Sequence, residues 1–151
     1  IISYTMLINI SFMKIYFAGS IRGGRDNTHI YESLISYLGS IGEVLTEHVG
    51  NKKITETGER DCVDTIIYDR DMVWLKSSDV VVAEVSVPSL GVGYEIGIAK
   101  KLNKPILCLY RFSNDKHLSA MIKGNKALTC CNYNDLEEAK LYINDFLQNL
   151  I

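Results

Sequence analysis

Three apolar runs constrain the fold most: Lys14 to Ala18 (KIYFA), Val80 to Val85 (VVVAEV) and Ile106 to Tyr110 (ILCLY). Each is short and nearly continuous rather than alternating with polar residues, the pattern of a strand buried on both faces. The segments between them carry helical spacing instead. Asp26 to Leu38 sets Ile30, Leu34, Ile35 and Leu38 on one face, with Gly39 and Gly42 placed to end it. Asp61 to Lys76, with Val63, Ile66, Ile67, Met72, Val73 and Leu75, reads as a second helix, and Gly93 to Leu102 as a third that stops before Lys104-Pro105. Glu43 to Glu47 reads as a short strand, His48 to Arg60 as a polar loop, and Ala127 to Cys131 as a weaker strand. His117 to Lys123 is a short helix, and Asp135 to Leu150 closes the chain as an amphipathic helix.

Strands alternating with helices predict an α/β fold: a doubly wound, five-stranded parallel sheet, Rossmann-like or flavodoxin-like, with helices on both faces. The binding crevice of such a sheet lies beyond the C-terminal ends of strands one and three. Two glycine-rich turns fall there, Gly19-Ser20-Ile21-Arg22-Gly23-Gly24 and Ser89-Leu90-Gly91-Val92-Gly93-Tyr94-Glu95. Backbone amides gathered at such turns can hold an anion. With the third helix starting at Gly93, Glu95 falls in its first turn, where the charged carboxylate is favoured.

The 151 residues read as a single domain over 13–151, preceded by an apolar extension, 1–12, outside the core. That extension lacks a basic leader and a small-residue cleavage site, and it is too short for a membrane helix. An extra edge strand or a partner-facing arm is the other reading of it. A formal charge of −2, with both signs interspersed, gives no reason to expect nucleic acid or an anionic membrane. Cys62, Cys108, Cys130 and Cys131 have neither metal-site nor disulfide-scaffold spacing, which suits reduced thiols in the cytosol.

The chemistry of the crevice points to carboxylates. Gly91-x-Gly93 is a poor dinucleotide fingerprint, because Ile96 stands where the third glycine belongs, and the first turn lacks the Gly-Lys-Ser/Thr ending of a phosphate-binding P-loop. The carboxylates near the crevice are Asp71, Asp79, Glu84 and Glu95. Two of them would suit glycosidic chemistry, one as nucleophile and one as acid/base. Asp79 precedes a strand and reads as a turn residue, whereas Glu84 stays a minor candidate. Tyr16 points from strand one towards the crevice; alone, a buried tyrosine signals packing.

Taken together, KIYFAGSIRGGR (14–25), EVLTEHV (43–49), DMVWLKSSDVVVAEVSVPSLGVGYEIG (71–97), PILCLYR (105–111) and LSAMIKG (118–124) resemble the 2′-deoxynucleoside 5′-phosphate N-hydrolases of the Rcl type, within the nucleoside 2-deoxyribosyltransferase-like superfamily. The resemblance runs from about Lys14 to the C-terminus. It implies hydrolysis of the N-glycosidic bond of deoxynucleoside 5′-monophosphates to free base and 2-deoxyribose 5-phosphate, without metal or organic cofactor.

Residue by residue, the resemblance implies that Glu95 is the nucleophile at C1′, Asp71 the acid/base beside the leaving base, and Tyr16 the residue that positions the reacting groups. Ser20, Ile21, Arg22 and Gly23 would surround the phosphate and sugar, with Ser89 and Gly91 on the second turn. Ser119 would reach the phosphate from a neighbouring subunit, which implies a homodimer, in the cytoplasm and also the nucleus. A deoxyribosyltransferase and a non-catalytic nucleotide-binding module remain the alternatives. A phosphoribohydrolase would need a PGGxGT-type loop that the chain lacks. Neither His48 nor His117 has a metal-ligand spacing.

Overall fold

The computed structural model describes residues 13–21, 27–50, 62–111, 113 and 117–151. The 1–12 stretch, Arg22 and Gly23 lie outside the described residues. Five strands, β1 (Lys14–Ala18), β2 (Glu43–Val44), β3 (Val80–Glu84), β4 (Ile106–Arg111) and β5 (Thr129–Tyr133), form one sheet in the order β2-β1-β3-β4-β5. Every neighbouring pair is parallel, so the chain order reverses its direction of travel at β1 and β3. The expected architecture is the observed one, and the reversal leaves a crevice where β1 and β3 end.

The helices are α1 (Thr28–Gly39), α2 (Asp64–Ser77), α3 (Leu90–Lys101), α4 (Ala120–Lys123) and α5 (Leu136–Gln148). Alternation along the strands gives the sheet two apolar faces. Ile15, Phe17, Val80, Val82, Leu107 and Leu109 face a core shared with Leu34 and Leu38 of α1 and Ile143 and Leu147 of α5. Tyr16, Ala18, Val81, Ala83, Ile106 and Cys108 face the other core, with Leu75 of α2 and Ile96 and Ala99 of α3. Each fully buried aliphatic side chain contributes about 1.5–3 kcal/mol relative to exposure, so both faces hold their helices firmly.

Two boundaries differ from the expectation for a physical reason. The second strand stops at Val44 because the Thr46 hydroxyl takes over the ladder. Phe17 N donates to Thr46 Oγ1 at 2.8 Å, and Thr46 Oγ1 donates to Phe17 O at 2.7 Å. The chain then turns into a short 3₁₀ helix, Glu47–Gly50.

The third helix begins at Leu90, not Gly93, because Ser89 caps it: Val92 N donates to Ser89 Oγ at 3.3 Å. Glu95 therefore sits in the second turn, beyond the reach of the favourable helix-end field, and the first-turn argument for its charge fails.

Candidate active site

The crevice at the sheet's C-terminal edge contains a cavity of about 650 Å³. Gly19 and Ile21 after β1, Asp64, Ile67, Tyr68, Asp71 and Met72 on α2, and Pro88 to Val92 with Tyr94 and Glu95 around the start of α3 line it. Gly19 is tightly enclosed: a Cβ there would lie 3.1 Å from Val49 Cγ1 and 3.2 Å from both Phe17 and Tyr31 ring atoms, so those side chains would have to give by a few tenths of an ångström.

Three of the expected residues converge here from three elements. Tyr16, 1% exposed on β1, sends its hydroxyl through to the cavity side and donates to Glu95 Oε1 at 2.6 Å. Asp71 lines the same wall from α2. Burial pushes Glu95 up to about 7, with the Tyr16 hydrogen bond opposing that rise and the Asp71 charge adding to it. Glu95 is therefore poised near neutrality rather than firmly ionised. The Tyr16 hydroxyl is itself pushed upward, first by burial and then by the charge of Glu95 and the bond to it, so it remains a donor.

Arg70 fixes Asp71 from the side. Its Nε and Nη2 each lie 2.9 Å from Asp71 Oδ1. The guanidinium also stacks 4.8 Å from the centre of the Trp74 ring, and its Nη2 is 3.3 Å from His48 Nε2. Such a stacked, forked cation restricts the Asp71 rotamer more than a lysine could.

The remaining expected residues are distributed unevenly. Ile21, Ser89 and Gly91 line the cavity. Ser20 is fully buried and does not line it; its backbone N–H donates to Tyr31 Oη at 3.2 Å. Ser119 is exposed, caps α4 by accepting from Met121 N at 3.3 Å, and stands away from this cavity.

The minor candidate Glu84 is excluded by geometry: it is fully buried on the opposite face of the sheet from Tyr16 and accepts from Tyr133 Oη at 2.9 Å. Asp79 is the turn residue expected, accepting from Lys14 N at 2.7 Å.

Sequence reasoning missed the apolar and aromatic wall. Ile67 stands one helical turn before Asp71, so spacing along α2 could have found it. Tyr68 and Tyr94 meet at the rim with hydroxyls 3.2 Å apart, a contact between two helices that no local pattern encodes. Among the described residues, no three His, Cys, Asp or Glu side chains are grouped to hold a metal ion.

A carboxylate held by a phenol, a second carboxylate held by an arginine and a cavity of nucleotide size suit substitution at a sugar carbon. Comparison with known proteins points the same way. The 5-hydroxymethyl-dUMP N-hydrolase of Tetraodon nigroviridis is 55% identical over 113 residues, covering 74% of this chain and 80% of that protein. The 5-hydroxymethyl-dUMP N-hydrolase of Danio rerio is 51% identical over 126 residues, covering 83% and 88%. The solved Clostridium botulinum CMP N-glycosidase BcmB shares the fold, with a TM-score of 0.62 at 20% identity over 87% of this chain and 98% of that one. The family model for nucleoside 2-deoxyribosyltransferase matches residues 15–146, and on that match and these identities the chain belongs to the nucleoside 2-deoxyribosyltransferase family.

Proposed function

We propose that the protein is an N-glycosidase that hydrolyses 2′-deoxynucleoside 5′-monophosphates to free base and 2-deoxyribose 5-phosphate. Glu95 and Asp71 lining one cavity, with Glu95 held by the Tyr16 hydroxyl, carry this reading. The two relatives named as 5-hydroxymethyl-dUMP N-hydrolases make that nucleotide the first substrate to test.

In the first half-reaction the ionised Glu95 bonds to C1′, the C1′–N bond breaks, and Asp71 supplies a proton to the departing base. In the second, Asp71 takes a proton from water, the resulting hydroxyl bonds to C1′, and Glu95 leaves as a carboxylate. The transition state in each half is oxocarbenium-like and is stabilised by the nearby negative charge. Tyr16 fixes which oxygen of Glu95 faces the sugar.

The 5′-phosphate falls beside Ser89 and Gly91, with Arg22 and Gly23 from the first turn and Ser119 of a second copy completing the site. Ser119 stands exposed and outside its own chain's cavity, which favours action across a homodimer interface. Met121, beside Ser119 at the start of α4, is an exposed apolar side chain at 82%, in keeping with such an interface. Among the described residues no helix is long and apolar enough to cross a membrane. Cys62, Cys108, Cys130 and Cys131 are free thiols, which suits a reducing compartment, the cytoplasm or nucleus.

The test is chromatographic detection of free base from 5-hydroxymethyl-dUMP and dGMP, each beside its unphosphorylated deoxynucleoside and its ribonucleotide. Release from the deoxynucleoside monophosphates, far above the others, is expected. Transfer of deoxyribose to an added base in place of hydrolysis would favour the transferase reading.

A further inference from the structure

We propose that Tyr68 and Tyr94 form the base subsite: the Tyr68 ring lies against the aromatic base of the bound nucleotide, and the Tyr94 hydroxyl holds that ring in place. The inference rests on the hydrolase reading for the identity of the ligand.

Two walls of the cavity differ in chemistry. Ser89 and Gly91 stand where α3 begins, and the free backbone amides of a helix start suit an anion. Asp71 stands on α2 instead, and a group that protonates the departing base must come within about 3 Å of it. The base therefore lies along α2. Ile67 and Tyr68 come one helical turn before Asp71, so the three share a helix face, with Tyr68 about 4.5 Å along the axis. All three line the cavity, as does Met72. A flat base on this wall meets an isoleucine, a thioether and a phenol ring, surfaces that take a π-face well.

Packing between helices does not account for the two tyrosines. Tyr68 from α2 and Tyr94 from α3 meet with ring centroids 6.2 Å apart, planes inclined by 55° and hydroxyls at 3.2 Å. Tyr31 and Tyr133, which do pack into the core, are fully buried, whereas Tyr68 stays 50% exposed and Tyr94 51%. The hydroxyl bond thus ties the outer end of the Tyr68 ring to the opposite helix while half of each residue stays open. It also raises the Tyr94 phenol above its ordinary value, which keeps that group neutral beside the nucleotide. A ring fixed at both ends loses little freedom when a base stacks on it, so the contact favours binding through preorganisation.

The probes are 5-hydroxymethyl-dUMP and 2-deoxyribose 5-phosphate, which carries the sugar and phosphate without a base. Tyr68→Leu removes the ring, Tyr68→Phe and Tyr94→Phe each remove the hydroxyl bond, and the double phenylalanine variant removes it once more. Calorimetric Kd for both probes is measured in chains that also carry Glu95→Gln, so that no turnover disturbs the titration. KM, kcat and melting temperature are measured without that change.

The parent should bind the nucleotide more tightly than the sugar phosphate. Tyr68→Leu should raise Kd and KM for the nucleotide by about tenfold or more, with kcat within about threefold and Kd for the sugar phosphate within about twofold. Tyr68→Phe and Tyr94→Phe should each raise the nucleotide Kd by about threefold, the double variant being no worse than the worse single one. A nucleotide Kd within about twofold of the parent in folded Tyr68→Leu, or equal losses with both probes, overturns the proposal. Additive losses in the double variant overturn the role given to Tyr94. Should Tyr68→Leu fail to fold, the two phenylalanine variants decide by the same comparison of probes. A wild-type chain that releases no base defeats the hydrolase reading, and the Kd series still judges the base subsite; a parent that binds the nucleotide no better than the sugar phosphate overturns that subsite.

Discussion

Tyr16 and Glu95, 79 positions apart, are joined by a hydrogen bond of 2.6 Å that runs from strand β1 to the second turn of α3. Burial raises the Glu95 proton affinity to about 7, and the phenol holds it from rising further. The pair thus sets how much of Glu95, the proposed nucleophile, is ionised at neutral pH.

Tyr16→Phe removes that opposing bond. A hydrogen bond to a charged group contributes about 1.5–3 kcal/mol, so the acid limb of kcat/KM, near pH 7 in the wild type, should move upward by about one unit or more. The pH–rate profile of the two proteins checks this. An acid limb left in place would show that Tyr16 does not tune Glu95.

Glu95→Gln should change stability with a definite sign. The folded chain binds the Glu95 proton more tightly than the unfolded chain, whose value is near 4.5. The stability this provides is complete below about pH 4.5 and is lost as pH rises through about 7. Glutamine has no such loss and can still accept from Tyr16. The variant should be more stable than wild type at pH 8, by at most about 3 kcal/mol, and close to it at pH 4.5. Denaturant melts at the two pH values decide, and an identical gap at both would contradict the assignment.

Asp71→Asn removes the proposed proton donor while keeping the side-chain shape. Its loss of kcat should be large, about 10²–10⁴-fold, for a base that leaves poorly and much smaller for a base that leaves without protonation. Equal losses across such a substrate series would remove Asp71 from the acid role.

Ser119 bears on the assembly. Sedimentation should give a homodimer, and Ser119→Ala should raise KM for the monophosphate with little effect on melting temperature. Mixing Ser119→Ala with Glu95→Gln should return part of the activity, because one of the two sites in a mixed dimer then has both residues. Absence of any recovery in a sample proven to exchange subunits would rule out the shared site.

Much of this arrangement was legible before the fold was known. The unbroken apolar runs at Ile15–Ala18, Val80–Ala83 and Ile106–Leu109 are buried throughout, and continuous burial is what such runs encode. The start of α3 was misplaced because Gly91 and Gly93 were read as the turn, whereas Ser89 caps the helix and both glycines lie in its first turn. The second strand was expected over Glu43 to Glu47 and is present, but its end at Val44 was not readable, since Thr46 pairs through its hydroxyl as a strand residue would through its backbone. Tyr68 with Tyr94, and Asn27 with Arg111, meet only through the packing of separate elements. Ser20 was expected beside the ligand; it is fully buried and is not among the residues that line the cavity.

The central claim is that Glu95 becomes covalently bonded to the sugar. Rapid acid quenching of wild type with 5-hydroxymethyl-dUMP, followed by peptide mass spectrometry, should find 2-deoxyribose 5-phosphate esterified to the peptide containing Glu95. Glu95→Gln should show no adduct and a kcat lower by about 10³-fold or more, a loss of about 4 kcal/mol in transition-state stabilisation. Near-normal turnover by folded Glu95→Gln, or an adduct on a different residue, would contradict the account.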